Sequence, residues 1–520
     1  TSQPLAAQAG ISILEDGGNA FDAAVATAAA LNVVEPTSTG LGGDVFALYR
    51  TAEGEVGAMR ACGGAPSGAT IEAVREAVAA EDADAEPGEV DMPATGPHAV
   101  TVPGTARGWE ATANRFGEFD LGRLLQPAIR YAIDGYPVSE VIANAWQHAD
   151  RLFDTDHARE AYLFDDKPPT VGQKVTLPRL GESMRLIAEE GADVVYEGEI
   201  AAAIAEEVQA QGGFMTVDDL AGFEVEWRDP VSTTYNGATV YELPPNNQGL
   251  IALEALNIAA EVEAGKRDLE SPERVHYFAE AMKRAFHDGH RYITDPEYED
   301  HPPLASAEWA TRRAEGIDER ATQDVTFGMP GGGSEAEDAD TVLLCTADDE
   351  GNVVSYINSR FAGFGSGLVA GETGIALQNR GASFSLDPEH PNALEPGKRP
   401  FHTLIPALLQ QGPEDWAAFG VMGGYMQPQG HVQVVSNLVD YGLPLQAALD
   451  QARWRYRESG ELAVEPHIDD HIAAKLVRRG HDVSVLPPAL FGGAQIARSD
   501  GDGVLSAATE PRKDGNAQGY

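Results

Sequence analysis

Thr341 opens an apolar run, Thr341-Val342-Leu343-Leu344-Cys345-Thr346, directly after a Gly-rich acidic stretch from Gly328 to Asp340. A threonine hydroxyl is a weak nucleophile toward an amide. A cut between Asp340 and Thr341 would place a free α-amine, neutral near physiological pH, on the same residue, where it can take the hydroxyl proton. The Asp340–Thr341 bond is therefore a candidate cleavage site and Thr341 a candidate nucleophile. The turn Asp348-Asp349-Glu350-Gly351-Asn352 predicts a hairpin. Centred on Glu350, it sets Thr341 opposite Ser359 with β-carbons about 4.5–5.5 Å apart, so that one hydroxyl can orient the other. A bulge would spoil that register, and an ordinary Thr/Ser cross-strand pair reads the same way. Downstream, an apolar run ends in Gly423-Gly424. Adjacent glycine amides can donate two N–H groups to a developing oxyanion, although an isolated Gly-Gly is more often a plain tight turn.

The elements that must position these residues follow from periodicity and punctuation. Helices are expected over 6–14 and 21–34, with Asp16-Gly17-Gly18-Asn19 as stop and restart. The loop Thr39-Gly40-Leu41-Gly42-Gly43-Asp44 then precedes a strand at 45–49. A glycine loop before a strand is the wrong order for phosphate binding, so close backbone packing or the lining of a pocket is expected. Residues from about 80 to 95 read as an acidic surface loop. Helical patterns follow across 108–133, Pro178–Glu190, 199–211 and 249–292, and strands at Val342–Ala347, 353–357, 416–421 and 483–486. No internal repeat is present. Helices dominate before the linker and strands after it, which predicts one layered unit of helices and sheets built from 1–340 and 341–520 together.

Composition restricts the function classes. The net charge is −46, and of 36 basic residues only seven are Lys. Such a surface repels phosphates, which argues against nucleic acid as a partner. The acidic residues are scattered, as expected of a solvated surface adapted to high salt, where screening removes most self-repulsion. Cys62 and Cys345 are the only cysteines, giving neither a disulfide framework nor a metal–thiolate cluster. A reduced, cytoplasmic setting is expected; because the chain starts at Thr1 without Met or leader, export stays open. No apolar run reaches membrane-spanning length, so no membrane partner is expected. His287 and His290, flanking Asp288 at helical spacing, raise a metal-dependent hydrolase as a rival. No His-Glu-x-x-His or Cys cluster completes a ligand set, and neither metal nor cofactor is expected.

Across nearly its whole length the chain resembles the gamma-glutamyltransferase family. The matching segments include Pro4-Leu5-Ala6, Gly17-Gly18-Asn19-Ala20-Phe21-Asp22-Ala23-Ala24-Val25, Val34-Glu35-Pro36, Gly40-Leu41-Gly42-Gly43, Val102-Pro103-Gly104, Asp218-Asp219-Leu220, Pro244-Pro245 with Gln248-Gly249, Phe364-Gly365-Ser366-Gly367, Lys398-Arg399-Pro400 and Gly423-Gly424. The resemblance implies an α+β fold: the four-layer αββα sandwich of N-terminal-nucleophile hydrolases, formed by two subunits of one self-cleaving precursor. Counted from the Asp-x-x-Gly-Asn turn, the family's nucleophile falls on Thr341 and its assisting Thr on Ser359. Its oxyanion-hole glycines fall on Gly423 and Gly424.

Departures from the family pattern concern substrate binding. Cys62 stands where the family has an Arg for the substrate α-carboxylate, with Arg60 two residues away on the same face. Phe361, Arg380 and Ser383 replace an Asn, a Gln and the Asp that holds the α-amine, and His402-Thr403 replaces a Ser-Ser pair. Losing that Asp while gaining Arg380 disfavours an ammonium group and favours a carboxylate. The pattern is more similar to the family's amidohydrolase and acylase branch. The expected activity is hydrolysis of a small carboxylate-bearing amide, oxamate-like or glutaryl-like, through an acyl-enzyme. Arg380, His402, Thr403 and Arg60 are the candidate substrate contacts. The alternatives are a true γ-glutamyl hydrolase or transpeptidase acting on glutathione or other γ-glutamyl compounds, and an uncleaved relic without activity. Implied partners are the amide substrate, water or an amine acceptor, and a second copy of the cleaved pair in a homo-oligomer.

Overall fold

The protein is described by a computed structural model over residues 1–81, 88, 90–323 and 341–520. The Gly-rich stretch from 328 to 340, Asp340 included, and 82–87 and 89 of the acidic loop lie outside the described residues.

Two antiparallel sheets face each other across an apolar gap. The first runs Glu226–Arg228, Val56–Ala61, Asp44–Arg50, Val353–Ser359, Val342–Ala347. The second runs Leu505–Thr509, Gly493–Ser499, Trp416–Met422, Ala407–Gln410, Ala238–Glu242, Val231–Tyr235. Every neighbouring pair in both sheets is antiparallel, which makes the class α+β. Strands before and after the linker meet side by side: Asp44–Arg50 pairs with Val353–Ser359, and Ala238–Glu242 with Ala407–Gln410. The expected segregation of strands to the part after the linker is corrected by this mixing.

Period-two alternation divides the side chains between layers. Phe46, Leu48, Leu343, Val353 and Ile357 point into the gap, where they meet Leu408, Ala418 and Met422 of the second sheet. Their neighbours Val45, Ala47, Tyr49, Val342, Leu344, Val354 and Tyr356 point the other way, into a core shared with helices. The helices Ala20–Val34 and Thr105–Phe116 cover that outer face, while Gly249–Glu261 and Met426–Val439 cover the outer face of the second sheet.

The Ala20–Val34 helix is buried on all sides, and its polar residues have specific partners. Asp22 closes a capping box with Asn19 and also accepts N–H groups from Glu118 and Phe119. Asn32 donates to Asn358 Oδ1 at 3.1 Å, tying the helix to the strand beneath it. Two expected helical stretches are interrupted. The 108–133 pattern splits into Thr105–Phe116 and Leu121–Asp134, because Gly117 ends the first and Asp120 caps the second. The 249–292 pattern splits where Ser271 caps a new helix that begins at Pro272.

Candidate active site

The hairpin register is the one expected from its turn. Val342 pairs with Asn358 and Ala347 with Val353, so continuing the ladder by one residue puts Thr341 across from Ser359. The turn is held by Asp348, whose carboxylate accepts from the backbone N–H groups of Gly351, Asn352 and Ala20. Gly351 takes a φ of 101°, a conformation open to glycine without cost.

Ser359 in turn pairs with Asp44, and extension of the next ladder by one residue brings Cys62 beside Asp44. Thr341, Ser359, Asp44 and Cys62 therefore form one row across the end of the sheet. They share the alternation phase of Leu343, Ile357 and Phe46, so the row faces the gap between the sheets. With strands about 4.8 Å apart, the backbone of Thr341 lies roughly 10 Å from that of Asp44. Thr341 is buried, and its Oγ1 has no hydrogen-bond partner among the described residues. Ser359 Oγ accepts the Phe361 N–H at 2.8 Å. Phe361 adopts a φ of 84°, an uncommon, strained conformation for a bulky residue. Its ring lies under the Arg380 guanidinium, 4.5 Å from centroid to Cζ.

The glycine loop before Asp44 is a packing device, as expected. A Cβ on Gly43 would collide with the Ser359 carbonyl, and one on Gly42 with the Ala376 carbonyl. Gly423 and Gly424 terminate the Trp416–Met422 strand in the opposite sheet, with φ of 114° and 51°. Neither of their N–H groups has an acceptor among the described residues, whereas the Gly424 carbonyl accepts from Gln248 Nε2 at 3.0 Å. His431 steadies the end of this strand: it accepts the Val421 N–H at 3.2 Å and donates to Glu242 at 2.6 Å.

Beside the row lies a buried charged corner. Asp44 Oδ1 accepts from Gly104 N–H and Gln378 Nε2, both at 3.1 Å, and Oδ2 lies 3.0 Å from His402 Nε2 and 4.0 Å from Arg380 Nε. Burial pushes the Asp44 carboxyl up to about 7, against the opposing pull of Arg380 and its hydrogen-bond donors. His402 Nδ1 accepts the Leu404 N–H, which fixes the tautomer whose Nε2–H donates to Asp44. Burial, with Arg380 and Arg60 nearby, keeps that ring neutral. Arg380 is wholly buried and donates Nη1–H to Thr403 Oγ1 at 2.8 Å; burial lowers its proton affinity to about 10.

The residues named from sequence thus fall into three groups. Thr341 and Ser359 are brought together at the row, and Gly423 and Gly424 end a strand in the facing sheet. Arg380, Thr403 and His402 meet at the corner, but both nitrogens of His402 are taken by protein partners. Arg60 turns to Glu226, Asn246 and the Pro245 carbonyl, within a network that also holds Arg399 and Asp295. Asp44 is the residue that sequence reasoning missed. Its signal was present in the alternation Asp44-x-Phe46-x-Leu48, once that strand is paired with the one ending at Ser359.

The His287–His290 pair, raised as a rival metal site, has separate partners. His287 lies 3.3 Å from Asp288, while His290 stacks among Phe286, Phe401 and Tyr425. A different group, His276, Glu280 and His481, brings its ligand atoms within 4.8 Å. Glu280 is held there by Lys283 and Arg284, and the two imidazoles hydrogen-bond each other at 2.8 Å. Two cations beside the carboxylate and a mutually satisfied His pair do not fit a metal ion.

A family model described as gamma-glutamyltranspeptidase matches residues 6–520. The chain is 38% identical to a glutathione hydrolase-like proenzyme, YwrD, of Bacillus subtilis, covering 99% of this chain and 97% of that protein. It is 36% identical to the oxamate amidohydrolase proenzyme of Klebsiella pneumoniae, with the same shares covered. Among solved structures, the cephalosporin acylase of Bacillus halodurans superposes with a TM-score of 0.90 at 43% identity, over 100% of this chain and 95% of that one. The chain is an enzyme of the gamma-glutamyltranspeptidase family.

Proposed function

We propose that the protein is a self-processing threonine amide hydrolase that cleaves a small carboxylate-bearing amide through an acyl-enzyme. One observation carries this reading: the Thr341–Ser359 pair at the sheet's end faces the gap that is closed from the other side by the strand ending in Gly423-Gly424. In the precursor, Thr341 Oγ attacks the Asp340 carbonyl, the acyl group passes from nitrogen to oxygen, and water hydrolyses the ester. Residues 1–340 and 341–520 then remain together as two subunits of one folded unit, a sandwich of helices, sheet, sheet and helices. Proenzyme relatives support this step.

In turnover, the Thr341 amine takes the hydroxyl proton as Oγ attacks the substrate's amide carbonyl. Ser359 orients the nucleophile, and the Gly423 and Gly424 N–H groups receive the negative oxygen of the tetrahedral intermediate. Collapse breaks the C–N bond; the leaving amine carries away the proton held by the Thr341 amine, and an ester remains on Oγ. Water adds to the ester, and the acid departs as Oγ regains its proton.

The substrate class rests on Arg380, a buried cation beside the row whose Nε and Nη2 have no hydrogen-bond acceptor among the described residues. Its position next to Asp44, roughly two strand spacings from Thr341, favours an acyl chain longer than oxamate. A panel of oxamate, a glutaryl anilide and a γ-glutamyl anilide tests this. The glutaryl compound is expected to have the highest kcat/KM, and preference for the γ-glutamyl compound would replace this reading with that of a true γ-glutamyl hydrolase.

A further inference from the structure

A second buried donor stands at this corner. Tyr425 immediately follows Gly424, is 2% exposed, and its Oη has no hydrogen-bond partner among the described residues. Arg380 Nη2 and Nε likewise have no hydrogen-bond partner among the described residues; Nη1 donates to Thr403, and Nε stands in an ion pair with Asp44 Oδ2 at 4.0 Å. A buried donor without an acceptor has given up water at a cost, so two at one place are suited to a ligand that accepts from both.

The two side chains belong to one assembly. Arg380 Nη1 donates to Thr403 Oγ1, and Gln248 Nε2 donates at once to the Thr403 carbonyl at 2.7 Å and the Gly424 carbonyl at 3.0 Å. This chain of bonds runs from the cation to the residue preceding Tyr425. The Tyr425 ring is set by His290 at 4.8 Å and 87°, with Phe286 and Phe401 beyond it. Arg380 and Tyr425 are also near enough to act on each other electrostatically, and burial keeps the phenol protonated as a donor. Glu458 acts on the same hydroxyl; a corner adapted to an ammonium group would depend on that carboxylate.

We propose that Tyr425 Oη and Arg380 Nη2 jointly bind the substrate's carboxylate, one oxygen each. A cation and a phenol, both water-poor, make charge-assisted bonds that a neutral acyl tail cannot replace. The bound carboxylate would then be anchored through the residue adjoining the Gly423-Gly424 turn, so that recognition and oxyanion binding share a backbone segment. This inference rests on the carboxylate-amide reading above and assigns it a second recognition residue.

The test uses processed protein and its Tyr425→Phe variant, which loses one oxygen atom and no hydrogen bond to the described residues. Glutarate is titrated calorimetrically, and glutaryl, pentanoyl and γ-glutamyl anilides are turned over in parallel. Tyr425→Phe is expected to weaken glutarate about tenfold and to raise KM for the glutaryl anilide similarly, with kcat and the pentanoyl anilide little changed. Glutarate binding equal to wild type, or equal losses on the glutaryl and pentanoyl anilides, overturns the proposal. So does a wild-type preference for the γ-glutamyl over the glutaryl anilide, which would assign the corner to an ammonium. If no anilide is turned over yet glutarate still binds more weakly to the variant, the carboxylate pocket stands and the hydrolase reading fails.

Discussion

The two ends of the row that starts at Thr341 are built from different materials. At the end proposed to hold the nucleophile are two hydroxyls, and across the gap a strand that stops at two glycines, with no charged side chain required by their geometry. At the other end, Asp44, His402 and Arg380 sit fully buried and interlocked. In the proposed mechanism, hydroxyls and peptide N–H groups would perform the same bond cleavage on any acyl amide, which would leave that end indifferent to the rest of the substrate. Buried charge is costly unless balanced, so the corner is sensitive to which charge a substrate brings. Chemistry and selectivity are thereby separable, and substitutions at the two ends should separate them.

The largest effect is expected at the first end. Thr341→Ala should abolish turnover of every acyl amide, a loss on the order of 10^4-fold or more in kcat, measured with the glutaryl and pentanoyl anilides together. Gly423→Ala should follow at about 10²–10³-fold in kcat on both compounds. Its backbone is at φ 114°, and an added Cβ would meet Gly492 at 3.2 Å. At the charged end the loss should become selective. Arg380→Met is expected to raise KM for the glutaryl anilide by about 10–100-fold while sparing the pentanoyl anilide. Equal losses on both would mean that Arg380 holds the fold rather than the substrate.

The smallest effect is a pH dependence. The folded Asp44 carboxyl titrates near 7, above the ordinary value of about 4. Its stabilising contribution is fully present below about 4 and is lost as pH rises through 7, because the folded protein must then ionise a buried group that the unfolded chain ionises in water. Wild-type Tm should therefore fall relative to Asp44→Asn between pH 5 and 8. The same ionisation partly neutralises Arg380, so KM for the glutaryl anilide should rise above pH 7 by a few-fold in wild type and stay flat in Asp44→Asn. Parallel profiles in the two proteins would remove Asp44 from substrate binding.

The same contrast separates what short stretches of sequence encode from what distant pairing adds. Thr341 and Ser359 lie on one hairpin with a strong turn signal, so local reasoning set their register, and the Pro178–Glu190 helix was bounded by its own Pro and Gly. The α+β class followed from the family resemblance more than from strand pattern. The strands Val231–Tyr235 and Leu505–Thr509 are five residues each and lack a clean apolar alternation: the first carries Ser232 and Thr234 on its open face, and the second exposes Leu505 and Ala507. The alternation Asp44-x-Phe46-x-Leu48 gives the face of Asp44 but not its neighbour: its place beside Ser359 is a pairing across 315 positions of chain, which no local pattern encodes. His402 and Arg60 were named for their chemistry, yet which partner each would find depended on Asp44 and Glu226, again distant in sequence.

Whether Thr341 cuts its own chain is decided by the intact mass of purified wild-type protein beside Thr341→Ala. Two wild-type fragments divided between Asp340 and Thr341, the second beginning with Thr341, and a single full-length Thr341→Ala chain are expected. A wild-type protein that turns over an acyl amide while remaining one uncut chain would contradict this expectation.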